Sequence, residues 1–280
     1  MKSTPDAVAG PGSSAPDGVI ETSDLCRSFG PVLAVDRLKL VVRRGVIFGL
    51  LGPNGAGKST TIKMLTTLLP PTSGSARVAG WRVVEDAAEV RRHIGYVPQM
   101  LSADGGLTGR ENLVLSAKLY RIPLSRRRTR INEALAFMDL ESAAGHLVRT
   151  YSGGMIRRLE VAQAMLHEPE VLFLDEPTIG LDPVARHAVW ARLLDLKRRY
   201  AVTILLTTHD MEEADSLCDD LAIMHQGAVV LQGPPAALKA TLGQDATLDD
   251  VFIHAVGGAI EEGGTYRDVR RLRGTLRRLG

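Results

Sequence analysis

The sequence predicts an α/β fold with a mainly parallel sheet, a strand-rich N-terminal region and an inserted helical region. Two apolar segments, 171–174 and 202–207, are separated by an amphipathic stretch at 183–200, and this alternation is typical of parallel sheets. Between residues 108 and 167 the strand pattern disappears and apolar residues recur at helical spacing, which indicates a helical insert. The carboxyl ends of the parallel strands should therefore carry the functional site.

Local patterns predict the other elements in order. One helix begins at Lys58 or Ser59 and runs to about Leu69, where two prolines end it. A hairpin is predicted at 222–231, with its turn at Gln226 and Gly227. The remaining strands are predicted at 19–29, 38–42, 46–51, 76–79 and 94–97. The remaining helices are predicted at 85–93, 113–119, 131–140, 156–166, 236–242 and 248–255.

Composition indicates a folded globular protein without a strong charge bias. Of the 280 residues, 45% are hydrophobic and 24% are charged, and the formal net charge is only +2. Such a balance gives no electrostatic reason to expect nucleic acid as a partner. Apolar runs are too short to cross a bilayer. Cys26 and Cys218 are far apart in sequence, which argues against a disulfide framework and fits a reducing cytosol. The histidines are scattered along the chain, so we predict no transition-metal site.

The two ends of the chain differ from its middle. Residues 1–18 are rich in Pro, Gly, Ser and Ala and lack the apolar stretch of a signal peptide, so we expect a disordered tail. We expect a folded domain at 19–256, with its helical insert at about 108–167, and a basic tail at 257–280. Arginines cluster at 126–130 and in that tail. A solvated helix face explains them more simply than contact with anionic lipid head groups, which stays an alternative.

A glycine-rich segment between an apolar strand and a helix fits the phosphate-binding loop pattern. Its glycines let backbone N–H groups turn inward around phosphates, and the helix N-terminus adds partial positive charge. Lys58 should reach the β- and γ-phosphates, and the Ser59 hydroxyl should coordinate Mg²⁺. The sequence thus predicts a P-loop NTPase core with ATP and Mg²⁺ as cofactors. The predicted ATP contacts here are Gly52, Pro53, Asn54, Gly55, Ala56, Gly57, Lys58, Ser59 and Thr60.

Two carboxylates follow the apolar run at 171–174. A buried parallel strand would deliver both to the same edge of the sheet. Asp175 is predicted to hold Mg²⁺, and Glu176 to polarise the water that attacks the γ-phosphate. Alone this pattern is weak, but together with the phosphate loop it is strong.

Further motifs appear in the order found in the ATP-binding-cassette family, which the chain resembles from about Val19 to Val256. Tyr151-Ser152-Gly153-Gly154-Met155 is similar to the family's signature sequence, where hydroxyl and backbone donors open a helix. The resemblance implies an N-terminal antiparallel β subdomain and an inserted α-helical subdomain. It also implies that Ser152, Gly153, Gly154 and Met155 contact the ATP of the opposite subunit.

The resemblance assigns roles to four more residues. Gln99 matches the glutamine that contacts Mg²⁺ and the attacking water, and His209 matches the histidine that contacts the γ-phosphate. Asp182 matches a loop that couples the two sites of a dimer, although an ordinary helix cap is also plausible. Phe29 occupies the position of an aromatic that stacks on adenine, although packing in the core is nearly as plausible. Lys58, Gln99, Glu176 and His209 form the predicted catalytic set.

Departures from the family pattern suggest a branch. Tyr-Ser-Gly-Gly-Met, together with 247–252 near the end, is similar to bacterial drug and polysaccharide exporters of the daunorubicin-resistance type. The resemblance then implies two copies in a head-to-tail ATP sandwich, a separate transmembrane permease, and a cytoplasmic position on the inner face of the membrane. An alternative is a cytosolic ATPase switch acting on ribosomes or DNA, but the long coiled coil or second cassette usual there is missing. A small-molecule kinase does not explain the signature, Gln99 and His209 together.

Overall fold

A computed structural model describes residues 18–243 and 245–261. The predicted N-terminal tail, apart from Gly18, and most of the predicted basic tail lie outside these residues. The first strand begins at Gly18, one residue before the expected start, and the last helix extends to Glu261, past the predicted domain end at Val256.

The described residues form two sheets. The first is antiparallel, in the order β2-β1-β4-β5, and the second has the order β10-β9-β3-β8-β7-β6. In the second sheet every pairing is parallel except that of β9 with β10, so the predicted mainly parallel sheet is confirmed. The strands of the first sheet are β1 (Gly18–Phe29), β2 (Val32–Arg43), β4 (Ser73–Val78) and β5 (Trp81–Arg82). Those of the second are β3 (Ile47–Leu51), β6 (Ile94–Val97), β7 (Val171–Asp175), β8 (Thr203–Thr208), β9 (Asp220–His225) and β10 (Ala228–Gly233).

Helices cover the second sheet, which is called the central sheet below. Three of these helices form the insert between β6 and β7. The first of these three begins with a capping box, in which Thr108 and Glu111 satisfy each other's backbone N–H groups. The insert helices are α3 (Gly109–Leu119), α4 (Leu124–Phe137) and α5 (Gly153–Met165). The others are α1 (Lys58–Leu65), α2 (Ala87–His93), α6 (Pro183–Tyr200), α7 (Met211–Leu217), α8 (Pro235–Ala240) and α9 (Leu248–Glu261).

The central strands are buried on both faces, which explains their continuous apolar runs. Successive side chains of a strand point to opposite faces, so β7 contributes to two apolar clusters. Leu172 and Leu174 pack with the insert helices, α6 and α9, while Val171 and Phe173 pack with the antiparallel sheet and α1. The parallel sheet is thus a rigid layer whose carboxyl edge presents the loops described below.

Some boundaries differ from those predicted. Helix α1 ends at Leu65 rather than Leu69, since Thr67 adopts a left-handed φ of 65° that no helix can continue through. Helix α4 begins at Leu124, before the predicted start at residue 131, because its arginine-rich first half has no apolar periodicity to reveal it. Helix α7 was not predicted at all.

Candidate functional site

The phosphate loop joins β3 to α1 in a conformation that depends on glycine. Gly55 and Gly57 have φ values of 84° and 101°, which L side chains rarely adopt. A Cβ atom on Gly57 would also lie 2.5 Å from the backbone oxygen of Ala34. The loop therefore needs glycine here both for its backbone angles and for space, and Lys58 follows as the first residue of α1.

The phosphate loop forms part of the wall of a cavity of about 470 Å³. Phe29 lines it and is 47% exposed, so this ring is not part of the core. The guanidinium of Arg27 lies 4.7 Å from the centre of the ring. The other lining residues are Ala34, Pro53, Asn54, Gly55, Ala56, Gly57, Lys58, Ser59, Thr60, Gln99 and Glu176. The structure thus brings most of the predicted ATP contacts and three of the four predicted catalytic residues, Lys58, Gln99 and Glu176, into one cavity.

Lys58 is buried against the loop that precedes it. Its Nζ atom donates to the backbone oxygens of Gly52 at 2.7 Å and Pro53 at 3.2 Å, and lies 3.4 Å from Oε1 of Glu176. Burial lowers the pKa of Lys58, and the neighbouring Glu176 carboxylate opposes that shift. The lysine is therefore held at the cavity wall as a donor beside a carboxylate.

Asp175 is buried at the end of β7 and accepts two hydroxyl hydrogen bonds. Its Oδ1 atom accepts from Ser59 Oγ at 2.9 Å and from Thr207 Oγ1 at 2.6 Å. Ser59 lies in the first turn of α1, so this bond ties the carboxylate to the phosphate loop. A hydroxyl and a carboxylate oxygen at this distance are a suitable pair of ligands for a hard divalent cation.

Glu176 has a left-handed backbone, with φ of 49°, directly after β7. Its N–H group donates to both the backbone oxygen and Oγ1 of Thr207, at 3.2 and 3.0 Å. Oε2 of its side chain lies 3.0 Å from Nδ1 of His209. The side chain of His209 is 48% exposed, whereas that of Glu176 is 6% exposed. The two neighbouring carboxylates therefore have different partners, which permits different roles.

Thr207 is a site residue that sequence reasoning missed. This fully buried side chain donates to Asp175 and accepts from the N–H group of Glu176, so one hydroxyl orients both acids. The available signal was a pair of threonines at the end of an apolar strand, immediately before His209. That pattern becomes informative only when β8 is known to lie beside β7.

The signature residues lie apart from this cavity and form the start of α5. The Ser152 side chain caps the helix by accepting from the N–H group of Met155 at 3.3 Å. Ser152 and Gly153 are exposed, whereas Gly154 packs so closely on α6 that a Cβ atom would lie 2.8 Å from that of Ala185. The structure thus presents a helix N-terminus to solvent.

Asp182 begins α6 and is a helix cap, since its Oδ1 atom accepts from the N–H group of Ala185 at 2.9 Å. This accounts for the residue locally, and its coupling role stays a prediction. Among residues 18–243 and 245–261, every helix is either too short or too polar to cross a bilayer.

Comparison with known proteins identifies the family. The model of the family described as "ABC transporter" matches residues 35–179. The chain belongs to the ABC transporter family. It is 45% identical over 236 residues to the daunorubicin/doxorubicin resistance ATP-binding protein DrrA of Streptomyces peucetius, covering 83% of this chain and 70% of that protein. It is 43% identical to the Nod factor export ATP-binding protein I of Paraburkholderia xenovorans, covering 81% and 74% of the two chains.

A solved structure of an ATP-binding subunit of an ABC transporter agrees with this result. It has a TM-score of 0.75 and 31% identity, covering 85% of this chain and 99% of that one. The chain is accordingly an ATP-binding and ATP-hydrolysing subunit of the ABC type, as the motif order predicted, and the alternative of a ribosome- or DNA-directed switch is not favoured.

Proposed function

We propose that two copies of this ABC ATPase sandwich two ATP molecules and drive export through a separate membrane permease. Export is supported by the similar proteins, whose names assign them to daunorubicin resistance and Nod factor export. A drug-like, lipid or polysaccharide cargo fits these relatives. A position on the inner face of the cell membrane follows from the need to contact a permease while using cellular ATP.

The cavity around the phosphate loop supports binding of ATP with Mg²⁺. Backbone N–H groups and Lys58 would bind the β- and γ-phosphates, and Phe29 is exposed at the cavity wall where an adenine ring could stack. Ser59, Asp175 and Gln99 offer the oxygen ligands that Mg²⁺ prefers. When bound, the ion would neutralise charge that develops on the phosphates.

Glu176 is the residue best placed to act as general base. Its carboxylate lines the cavity, and its two oxygens lie 3.4 Å from Nζ of Lys58 and 3.0 Å from Nδ1 of His209, which hold the side chain in place. Both hydroxyl hydrogen bonds of Asp175 go to Oδ1, one of them from Ser59, so this carboxylate suits a metal-binding role instead. His209, half exposed beside Glu176, can contact both the base and the γ-phosphate.

The position of the signature supports a head-to-tail dimer. Its exposed helix N-terminus is an anion site, yet no signature residue lines the cavity that holds the phosphate loop. A second copy related by two-fold symmetry would bring this helix to the ATP held by its partner. ATP would then stabilise the dimer, and hydrolysis would weaken it.

An exposed apolar segment next to Gln99 supports permease docking. Met100 is 82% exposed and Leu101 is 53% exposed, although both are large apolar side chains. Leu119 and Leu124 of the helical insert are also 73% and 79% exposed. Large apolar side chains this exposed are candidates for protein–protein contacts.

The test is a pull-down of the tagged chain from detergent-solubilised membranes of the source cell, with partners identified by mass spectrometry. We expect a polytopic membrane protein, and capture of only ribosomal or DNA-associated proteins would contradict the transport function. The variant Met100→Asp should lose the membrane partner. Val32→Asp is a matched control, because Val32 is also exposed, at 62%, but lies on the antiparallel sheet.

A further inference from the structure

An ion pair is buried on one face of α5, the helix that begins at the signature residues and is called the signature helix below. This face is turned toward the glutamine loop, defined here as residues 98–103. Nη1 of Arg157 lies 3.0 Å from Oε2 of Glu160, and both side chains are only 2% exposed. The two residues are three positions apart on α5, so they share one helix face. Two buried charges are costly to desolvate, and their retention requires further hydrogen bonds.

Those further hydrogen bonds go to the glutamine loop. The guanidinium of Arg157 donates to the backbone oxygens of Pro98 at 2.8 Å and Gln99 at 2.9 Å. Oε1 of Glu160 accepts from the N–H group and hydroxyl of Ser102 and from the N–H group of Ala103. The pair therefore binds the loop backbone on both sides of the exposed residues Met100 and Leu101.

The same helix begins at the signature. Ser152 caps its first turn, and Arg157 follows little more than one turn later. Gln99 lines the cavity of the phosphate loop in its own chain, whereas the signature residues lie outside that cavity. The ion pair thus lies between two elements that, in the proposed dimer, would contact two different ATP molecules.

We propose that Arg157 and Glu160 are positioning residues that fix the glutamine loop to the signature helix, so that the two ATP sites of the dimer are aligned together. The proposal rests on the proposed function, because it assumes that Gln99 and the signature both act on ATP. Movement of α5 against the partner's ATP would then move the backbone of Gln99 by the same amount. Movement of the segment at Met100 and Leu101 would reach the signature along the same path.

The charges around the pair fit this arrangement. Burial lowers the pKa of Arg157, while the carboxylates of Glu160, Asp175 and Glu213 oppose the shift and favour its charged form. Arg157 is therefore surrounded by acids from α5, β7 and α7. Its planar fork can donate to two carbonyl groups and a carboxylate together, which a lysine cannot reproduce.

The test compares three variants with the wild-type protein. Arg157→Met/Glu160→Leu removes both buried charges with little change of volume, a replacement that often preserves stability. Arg157→Lys keeps the positive charge beside Glu160 but loses the planar guanidinium group, which donates to two carbonyl groups and a carboxylate together. Arg158→Met is the matched control: Arg158 is the next residue on α5, but it contacts Met138 and Asp139 rather than the glutamine loop.

We expect the double variant to bind ATP with a KM close to that of the wild type, because Lys58 and the phosphate loop are intact. Its kcat should fall by about tenfold to a hundredfold, as small misplacements of catalytic groups do. Arg157→Lys should likewise have a KM close to that of the wild type, and its kcat should fall by a smaller factor than in the double variant. Hydrogen exchange at residues 99–103 should accelerate in the double variant and remain unchanged in Arg158→Met.

A purely structural ion pair predicts another result. The double variant and Arg157→Lys would then fold, hydrolyse ATP at the wild-type rate and exchange residues 99–103 as slowly as the wild type, which would overturn the proposal. If the double variant does not fold, Arg157→Lys alone decides between the two. Failure of the proposed function is recognised separately, since Glu176→Gln would then retain full hydrolysis.

Discussion

Replacing Thr207 with valine removes one hydroxyl from between the two acids at the carboxyl end of β7. That hydroxyl donates to Asp175 at 2.6 Å and accepts from the N–H group of Glu176 at 3.0 Å. A hydrogen bond to a charged group contributes about 1.5–3 kcal/mol and a neutral one about 0.5–1.5 kcal/mol. The free energy of unfolding should therefore fall by about 2–4 kcal/mol, which lowers the Tm by roughly 5–15 °C in a domain of this size.

The same substitution should impair hydrolysis more than its effect on stability implies. Asp175 keeps its bond to Ser59, but the turn at Glu176 loses one of its two acceptors and both acids gain freedom. Misplacement on this scale reduces kcat by about tenfold to a hundredfold. Thermal unfolding and steady-state release of phosphate, measured well below the Tm of the variant, separate the two effects.

Thr203→Val is the control for this prediction. Thr203 lies on the same strand, is equally buried and accepts one hydrogen bond, from the N–H group of Gly45 at 2.9 Å. Its replacement should cost about 0.5–1.5 kcal/mol and leave kcat unchanged. If Thr207→Val hydrolyses ATP within twofold of wild type and is no less stable than Thr203→Val, Thr207 does not orient the two acids.

Two further predictions follow from local geometry. Gly57→Ala places a Cβ atom 2.5 Å from the backbone oxygen of Ala34 at a φ of 101°, so binding of a fluorescent ATP analogue should weaken by more than about tenfold. Gly55→Ala has open space around its Cβ atom and should therefore bind the analogue more tightly than Gly57→Ala. The reverse order of affinities would contradict this explanation. Burial raises the pKa of Glu213 above its ordinary 4.5, so the folded state binds its proton more tightly and stability falls as pH rises from about 4.5 through the raised pKa. Glu213→Gln keeps an oxygen that can accept from the hydroxyl of Thr178 and the indole N–H of Trp190. The variant should therefore have a higher Tm than the wild type at pH 7, and the difference in Tm should shrink below pH 4.5. An equal gain in Tm at both pH values would refute the prediction.

The central sheet and the phosphate loop were predictable from sequence because each depends on local composition. The runs at 47–51 and 171–174 are apolar because both faces of those strands are covered, and glycine is required at Gly55 and Gly57 by the backbone angles. The acids Asp175 and Glu176 were likewise visible as the polar end of an apolar run.

Residues whose role depends on distant neighbours were not predictable. Arg157 and Glu160 have the side chains typical of a solvated helix face, yet the glutamine loop, more than fifty positions earlier, buries them. Thr207 acquires its role only because β8 pairs with β7 and places its hydroxyl beside Asp175.

Glu176→Gln tests most directly whether Glu176 acts as the general base for hydrolysis of ATP held between two copies of the chain. The amide keeps the size of the side chain but cannot accept a proton, so ATP should still bind while turnover falls by orders of magnitude. Light scattering during size-exclusion chromatography should then show that the mass of the variant doubles when ATP and Mg²⁺ are added. Unchanged turnover, or a variant that binds ATP yet stays monomeric, would contradict the account.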